Sequence, residues 1–360
     1  MQMDLLAPVA PTPRLANVGA RTARAWRPKR VVFTPDALEE PHGQAILARA
    51  EAAGLDIERL PSNRITGLRG ATERETYRLA KQTLAVVNAP AGQFALQPIP
   101  PSADFQFHLA QGCPAHCGYC YLAGSLTGPP VVRAYANVPA ILDNTRRFER
   151  AGAVTTFEAS CYTDPLGIEH LTGSLAAAVE HFATREGASL RWTTKFDAVG
   201  PLVGLDHGGR TQARFSVNAA PIERAHEAGT SSVDARLAAA RTMAEAGYPV
   251  GLVVAPIVFV EGWEGHYADL LDRAALALGD APGLTFELIT HRFTPGSKAT
   301  LASWYPGSTL DMGEDGRAAK RGKFGALKYV YAPPTMRALR AFFSAEIARR
   351  LPAARVLYWT

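Results

Sequence analysis

The sequence predicts an α/β protein whose main body is an open, partial barrel of six β/α units. Six strand-like apolar runs follow one another along the chain, and helical patterns separate most of them. Together they occupy roughly 190 residues, too few for a closed eight-stranded barrel of about 250 residues. The prediction is therefore a partial (β/α)6 TIM-like barrel. The six runs are FQFHLA (105–110), TTFEAS (155–160), LRWTTKF (190–196), ARFSVNA (213–219), PVGLVVAPIVFV (249–260) and LTFELITHRF (284–293).

Two further parts are expected before the barrel. Residues 1–30 are rich in Pro, Ala and Arg without a sustained period, which predicts a flexible basic arm, with an Arg-rich transit peptide as the alternative. Residues 31–100 carry a strand-like run at 31–34 and helical patterns near 41–53 and 72–88. These patterns predict a small N-terminal α/β lobe.

The barrel itself is expected over residues 101–310, followed by a C-terminal extension over 311–360. This extension should contain a hairpin at 323–333, a helix at 335–351 and a last strand formed by ARVLYWT. We find no internal repeat in the sequence.

The charge balance is compatible with a partner that carries phosphates. The net charge is +5, from 38 Lys and Arg against 33 Asp and Glu, and guanidinium groups match phosphate oxygens well. A solvated Arg-rich surface would give the same composition, so charge alone leaves both interpretations open.

Other bulk features predict a cytoplasmic protein. The longest apolar run, GLVVAPIVFV (251–260), is too short to cross a bilayer and is typical of a buried strand. The N-terminus lacks the pattern of a secretion signal. Thiols stay reduced in the cytoplasm, so clustered cysteines there favour metal binding or chemistry over disulfides.

Three of the four cysteines stand within eight residues (113–120) of the stretch GCPAHCGYCYL, directly after the first barrel strand. Cys113, Cys117 and Cys120 have the spacing C-x3-C-x2-C. A structural zinc site normally closes with four ligands, and His116, between two of the cysteines, could serve as a fourth only with strain. An iron–sulfur cube held by three thiolates, with one open iron, fits better. The alternative is a non-catalytic, metal-stabilised nucleic-acid-binding protein.

This spacing, with Tyr119 before the third cysteine, resembles the radical S-adenosylmethionine superfamily. The resemblance implies a [4Fe-4S] cluster whose open iron binds S-adenosyl-L-methionine, which one electron cleaves to a 5′-deoxyadenosyl radical. It also implies the partial barrel. Only Cys161 remains outside the motif, so a second cluster is excluded.

Cys161 ends the second predicted strand, in FEASCYTDPLGIEHLT. The carboxyl ends of barrel strands form the active face, so Cys161 should open onto the same cavity as the three clustered cysteines. A free cysteine is often a buried apolar residue. The S–H bond is also weak enough to quench a carbon radical, and the position favours a hydrogen-atom donor.

Several stretches together resemble the spore photoproduct lyase family over about residues 107–331. The resemblance implies a DNA repair lyase that splits the methylene-bridged thymine dimer formed by ultraviolet light. Its partners would be DNA containing the lesion and an electron donor such as flavodoxin or ferredoxin. The stretches are GCPAHCGYCYL, FEASCYTDPLGIEHLT, TTKFDAV, RFSVNA, AGYPVGLVVAPI, EGWEGHY, LTFELITHRFT and KYVY.

The resemblance also implies roles for single residues. Cys161 would give a hydrogen atom to the thymine radical, and Tyr119 and Tyr121 would relay a hydrogen back, although Tyr119 could instead pack beside the adenine. The S-adenosylmethionine ligands would be Thr163, Lys195, Ser216 and Asn218. Lys195 could also be an ordinary solvated lysine.

Four residues would contact the lesion or its phosphate: Arg292, Lys323, Lys328 and Tyr329. Each could instead be merely exposed. The hairpin sequence KFGALKY departs from the family pattern, because Lys323 and Phe324 replace an Arg and a Tyr. This departure leaves open a related enzyme that acts on a different lesion or on a small molecule. His170 and His291 are expected to be loop or core histidines.

Overall fold

The computed structural model describes residues 25–126, 128–321, 325 and 327–360. These residues form two main sheets and a set of covering helices. The strands are β1 (Arg30–Phe33), β2 (Ile57–Arg59), β3 (Thr83–Val87), β4 (Gln97–Ile99), β5 (Ala103–Phe107), β6 (Ala110–Gln111), β7 (His116–Cys117), β8 (Val132–Tyr135), β9 (Thr155–Ala159), β10 (Ala188–Thr194), β11 (Thr211–Val217), β12 (Glu227–Ala228), β13 (Val250–Ile257), β14 (Thr285–Thr290), β15 (Arg317–Arg321), β16 (Leu327–Tyr331) and β17 (Arg355–Trp359).

The helices cover the sheets or connect their strands. They are α1 (Pro35–Glu39), α2 (Pro41–Ala52), α3 (Glu73–Lys81), α4 (Val138–Asn144), α5 (Glu169–Thr172), α6 (Ser174–Ala183), α7 (Gly200–Val203), α8 (Ala220–His226), α9 (Val233–Glu245), α10 (Trp263–Leu278), α11 (Pro295–Trp304) and α12 (Pro333–Arg350). Short 3₁₀ turns lie at Ala91–Phe94, Tyr121–Gly124, Thr145–Phe148 and Leu166–Ile168. Among the described residues, no helix is both long and apolar enough to span a membrane.

The larger sheet is the predicted partial barrel. Its strand order is β17-β14-β13-β11-β10-β9-β5-β4. Six strands pair in parallel and correspond to the six predicted runs: β5, β9, β10, β11, β13 and β14. One further strand extends each edge: β17 lies parallel to β14 and β4 antiparallel to β5. The predicted fold class is therefore confirmed.

Nearly continuous apolar runs explain the central strands. In β13 the residues Val250 to Val254 are all buried, because this strand lies between β11 and β14 with side chains covered on both faces. Helices α9 and α10 bury Val233, Leu237 and Tyr267 against the same core. The parallel order directs the carboxyl ends of all six strands to one face.

The smaller sheet has the order β2-β1-β3-β8-β6. The helix predicted over 72–88 is wrong in its second half, because α3 ends at Lys81 and Thr83–Val87 is a central strand of this sheet. β-Branched residues and the burial of its first four residues favour the strand there. This sheet takes β6 and β8 from beyond residue 100, and the division of the chain at that residue stays a prediction. Most of the predicted arm, residues 1–24, lies outside the described residues.

The C-terminal extension contains the predicted helix α12 and strand β17, and its hairpin begins earlier than expected. Strand β15 starts at Arg317, whereas the sequence predicted the hairpin from residue 323. The missed strand, RAAKR, is largely exposed and lacks an alternation of apolar residues. Lys323 and Phe324 lie outside the described residues.

A network of buried charges joins the barrel strands from within. Arg214 forms ion pairs with Glu158 at 2.5 Å and with Glu287 at 2.8 Å, and Arg191 contacts the other oxygen of Glu287. The Tyr358 hydroxyl donates to Glu287 at 2.5 Å. Charges are tolerated in such a place only when they are paired and hydrogen-bonded. The network therefore joins β9, β10, β11, β14 and β17.

We expect Glu287→Ala to lower the free energy of unfolding by about 3–5 kcal/mol, because two buried arginines would lose their shared partner. Urea denaturation followed by circular dichroism measures this change. The control is Arg241→Ala, which removes exposed pairs with Glu245 and Asp280 and should cost at most about 1 kcal/mol. Equal, small losses in both variants would show that the internal network does not stabilise the barrel.

Candidate active site

The loop that carries the three clustered cysteines is fixed from two sides. Strand β7 pairs antiparallel with β12, which places Cys117 opposite Glu227. On the other side the Lys81 ammonium donates to the carbonyl oxygens of Cys113 and Ala115. Gly112 has a φ of +76°, and a Cβ there would lie 2.2 Å from the Val131 carbonyl oxygen, so the close approach requires glycine.

The three cysteines fit an iron–sulfur cube. Cys117 is buried and the other two are partly buried. Burial raises the pKa of all three thiols, and Coulomb repulsion among them adds to the shift for Cys113 and Cys117, so the thiols lie close together. Binding to a metal deprotonates such thiols outright. Within the described part of the chain, no three His, Cys, Asp or Glu side chains converge on a single metal ion. In an iron–sulfur cube each thiolate would bind a different iron, so the three thiolates need not converge on one ion.

Lys195 and Ser216, two of the predicted cofactor ligands, contact each other beside this loop. The Lys195 ammonium donates to the Ser216 hydroxyl at 2.7 Å and to the Ala255 carbonyl oxygen at 3.2 Å. Thr163 has a buried hydroxyl without a hydrogen-bond partner among the described residues. An ammonium and two hydroxyl groups, one of them unsatisfied, suit the carboxylate of an amino acid.

Asn218 reaches the same group of residues, because its amide donates to Glu227 at 3.5 Å, but its other bonds are to the barrel. It is fully buried, and its amide donates to the Pro256 carbonyl oxygen at 2.9 Å. Its side-chain oxygen accepts from the Ala219 backbone at 3.0 Å and from the Tyr267 hydroxyl at 3.1 Å. These bonds fix the end of β11, and a direct contact of Asn218 with a cofactor stays a prediction.

Glu227 is a site residue that the sequence analysis missed. Its carboxylate accepts from the Tyr119 hydroxyl and forms ion pairs with Lys195 at 3.3 Å and Arg236 at 2.6 Å. Burial alone would raise its pKa, but the Lys195 and Arg236 cations outweigh burial and lower the pKa to about 2. The stretch HEAG carries no motif, so only the pairing of β7 with β12 reveals this residue.

The two tyrosines beside the third cysteine have different partners. Tyr119 is tied to Glu227, and the Lys195 ammonium lies 5.5 Å from its ring centroid. The Tyr121 hydroxyl instead donates to the backbone carbonyl oxygen of Cys161. Tyr121 is 57% exposed. The loop therefore contacts Glu227 through Tyr119 and Cys161 through Tyr121.

An unusual turn positions Cys161 at the end of β9. The preceding residue, Ser160, is buried and has a φ of +60°, a region that costs a non-glycine residue energy. Its backbone N–H donates to the Phe107 carbonyl oxygen at 2.7 Å, and its hydroxyl accepts from the Leu109 backbone at 3.0 Å. These bonds hold the turn against the strand that leads to the clustered cysteines.

The surroundings of Cys161 keep its thiol protonated. Burial is the main cause of a pKa well above the usual value, and the negative charge of Glu158, which accepts a hydrogen bond from the thiol, raises the pKa further. Arg214 opposes this effect more weakly while it holds Glu158 in place. Only a protonated thiol can release a hydrogen atom.

Three of the four predicted substrate residues converge at the hairpin, and Lys323 lies outside the described residues. Phe293 and Tyr329 form a β-bridge with N–O distances of 3.2 and 2.8 Å, which joins β16 to the chain after β14. Partial burial lowers the pKa of Lys328, and the neighbouring Arg292 and Lys320 cations lower it further. Like charges gathered in this way favour binding of an anion.

The structure places one of the two histidines that the sequence analysis set aside in the core and the other in helix α5. His291 is 1% exposed and contacts Arg317 through its ring, so it belongs to the core. His170 lies at the surface, where its ring nitrogen contacts the Trp26 carbonyl oxygen at 2.9 Å.

Comparison with known proteins decides the family. The family model described as spore photoproduct lyase matches residues 26–360. The chain belongs to the spore photoproduct lyase family. It is 42% identical to the spore photoproduct lyase of Geobacillus sp. (strain Y412MC61) and 39% identical to that of Bacillus subtilis (strain 168). Each alignment covers 92% of this chain and 98% of the relative.

Solved structures of the spore photoproduct lyase family have the same fold. A spore photoproduct lyase complexed with dinucleoside spore photoproduct matches with a TM-score of 0.89 and 39% identity, over 94% of this chain and 100% of that chain. A variant with bound AdoMet and dinucleoside spore photoproduct matches over the same shares, with a TM-score of 0.88 and 39% identity.

The protonated state of the Cys161 thiol can be tested by alkylation. We expect Glu158→Gln to lower the thiol pKa, because the negative charge is removed while Arg214 remains. Reaction with iodoacetamide at mildly alkaline pH, followed at the Cys161 peptide by mass spectrometry, should become about tenfold faster for each unit that the pKa falls. The exposed Glu264→Gln is the control and should react like the original chain. An unchanged rate in Glu158→Gln would show that Glu158 does not raise the pKa of the Cys161 thiol.

Proposed function

We propose that this chain is a radical S-adenosylmethionine lyase that splits spore photoproduct, the methylene-bridged thymine dimer of ultraviolet-damaged DNA, into two thymines. Support comes from the family match over residues 26–360 and from relatives with bound dinucleoside spore photoproduct and AdoMet. The single observation that carries the proposal furthest is the contact of Tyr121 with Cys161. It joins the clustered-cysteine loop to a protonated thiol.

The cofactors are a [4Fe-4S] cluster and S-adenosyl-L-methionine. Cys113, Cys117 and Cys120 would hold the cluster through their thiolates. When bound and reduced, the cluster would supply the electron for the cleavage of S-adenosylmethionine.

The residues beside the cluster loop hold the methionyl group. Lys195 supplies the positive charge for its carboxylate, and the hydroxyl groups of Ser216 and Thr163 supply hydrogen bonds. Glu227 orients Lys195 through their ion pair, and Arg236 holds Glu227 in place. Tyr119 is fixed by the same carboxylate, which suits packing beside the adenine as well as a relay.

Cys161 ends the reaction on the substrate. After a hydrogen atom has left the lesion and the cross-link has broken, a carbon radical remains on one thymine. The Cys161 S–H bond breaks homolytically, its hydrogen atom forms the new C–H bond, and a sulfur radical stays on the protein. The Tyr121 hydroxyl, hydrogen-bonded to the Cys161 backbone, would then return its hydrogen atom to the sulfur, and Tyr119 would return one to Tyr121. The radical left on Tyr119 would take a hydrogen atom from the 5′-deoxyadenosine formed earlier, so that S-adenosylmethionine is regenerated.

Arg292, Lys328 and Tyr329 bind the lesion or its phosphates. The repulsion between the Arg292 and Lys328 cations at the hairpin is relieved when an anion binds between them. We also assign Lys323 to this group from the family resemblance. Contacts of this kind position DNA without reading its bases.

Two further assignments belong to the proposal. The reaction needs an electron from outside the chain, and we assign this task to a flavodoxin or a ferredoxin. We also place the protein in the cytoplasm, where its cluster thiols stay reduced before the metal binds.

Cys161→Ala tests the reaction most sharply, because it leaves the cluster cysteines untouched. S-adenosylmethionine should still be cleaved and the cross-link should still break. The thymine radical then lacks its donor, so we expect aberrant thymine adducts with buffer reductants and more cofactor consumed per lesion. Product analysis by liquid chromatography and mass spectrometry of the dinucleotide measures this.

The control for that experiment is Cys120→Ala, which should abolish the release of 5′-deoxyadenosine, because two thiolates do not define the open iron. Clean thymine at the original yield from Cys161→Ala would instead assign Cys161 to packing. Retained 5′-deoxyadenosine release in Cys120→Ala would contradict the cluster assignment.

A further inference from the structure

An aromatic group covers one side of the clustered-cysteine loop. The Tyr77 hydroxyl contacts the His116 Nδ1 at 2.8 Å and the Tyr305 hydroxyl. The Trp304 ring lies 4.8 Å from the Tyr77 ring, centroid to centroid, at a tilt of 33°. The rings come from α3, from β7 in the loop and from the end of α11, so the group closes the loop against two helices.

Little protein separates this loop from the surface on that side. His116 belongs to the loop itself, next to Cys117, and is partly exposed, as are Trp304 and Tyr305. The Tyr305 hydroxyl contacts the Tyr77 hydroxyl, which in turn contacts His116 of the loop. A molecule bound here would stand one side chain away from the cysteines.

Helix α3 adds positive charge to the same side. Arg74, Tyr77, Arg78 and Lys81 follow the spacing i, i+3, i+4, i+7, which places them on one face of the helix. Tyr77 and Lys81 contact the loop, while Arg74 and Arg78 are exposed beside them. Neither guanidinium has a hydrogen bond or ion pair with any residue that the structure describes.

This surface is separate from the hairpin cations. Arg292 precedes the start of α11 at Pro295, whereas Trp304 is its last residue. Ten helical residues span about 15 Å. The helix packs on the turn at Tyr121–Gly124, where a Cβ on Gly124 would lie 3.0 Å from the Ser297 Cβ. The two basic surfaces thus lie at opposite ends of a helix that borders the loop.

We propose that Arg74, Tyr77, Arg78, His116, Trp304 and Tyr305 form a reductant face that docks a small acidic electron-carrier protein of the flavodoxin or ferredoxin type. The inference rests on the proposed function, because only a cluster at this loop needs the electron. The carrier loses one electron and the cluster gains it, with no bond formed or broken. Cations at the rim attract an acidic partner, and the partly exposed rings provide an apolar centre.

The test combines charge reversal with two measurements that do not depend on repair. Arg74→Glu/Arg78→Glu is compared with Arg337→Glu/Arg340→Glu, which makes the same charge change on the exposed side of α12. Cluster-loaded proteins are titrated with oxidised flavodoxin for the Kd, at low and moderate salt. The rate of cluster reduction by reduced flavodoxin is followed by stopped-flow absorbance, with dithionite as a chemical reductant for comparison.

We expect the α3 variant to bind flavodoxin about tenfold more weakly, with a flatter salt dependence, and to be reduced correspondingly more slowly at limiting carrier. Its reduction by dithionite and its affinity for DNA should not change, and the α12 variant should match the original chain. An unchanged Kd in the α3 variant, or an equal loss in both variants, would overturn the proposal.

A fall in DNA affinity with unchanged flavodoxin binding would also overturn it, since α3 would then belong to the nucleic-acid surface. Failure of the proposed function gives a different result. In that case the original chain would not repair the lesion even with dithionite, while the Kd and the reduction rate would still report on the reductant face.

Discussion

The buried carboxylate of Glu227 joins three parts of the molecule that the proposed reaction needs in one place. It holds Tyr119 of the cluster loop, Lys195 at the end of β10 and Arg236 in α9. Its strand, β12, is also the backbone partner of Cys117. Two cations pair with this one buried anion, so the cysteine loop, Lys195 and α9 share one electrostatic anchor.

A second buried anion, Glu158, has the corresponding task on the substrate side. It belongs to the charge network inside the barrel and lies three residues before Cys161, so the network that stabilises the sheet also keeps the thiol protonated. Glu158 thus contributes both to the charge network inside the barrel and to the raised pKa of the Cys161 thiol. Ser160, with its positive φ, turns the chain directly before Cys161 and adds backbone strain there.

The barrel could be predicted from the sequence because each central strand is a compact apolar run, and C-x3-C-x2-C is visible as a pattern within eight residues. The strand at Thr83–Val87 was missed because it follows α3 almost without a break and continues its apolar spacing. Glu227 was missed for a different reason, since its partners lie far away along the chain. The α3 face with Arg74 and Arg78 could not be interpreted from the sequence, because only the structure shows that α3 contacts the cysteine loop.

In the proposed reaction the chain's own thiol, on Cys161, supplies the hydrogen atom that ends repair. Repair of dinucleoside spore photoproduct in deuterated water tests this claim most directly, because S–H and phenol O–H hydrogens exchange with solvent while carbon-bound hydrogens do not. Mass spectrometry of the product should show that a repaired thymine gains deuterium from the solvent, and that Cys161→Ala loses this labelled product. Repaired thymine without deuterium from the original chain would contradict the account.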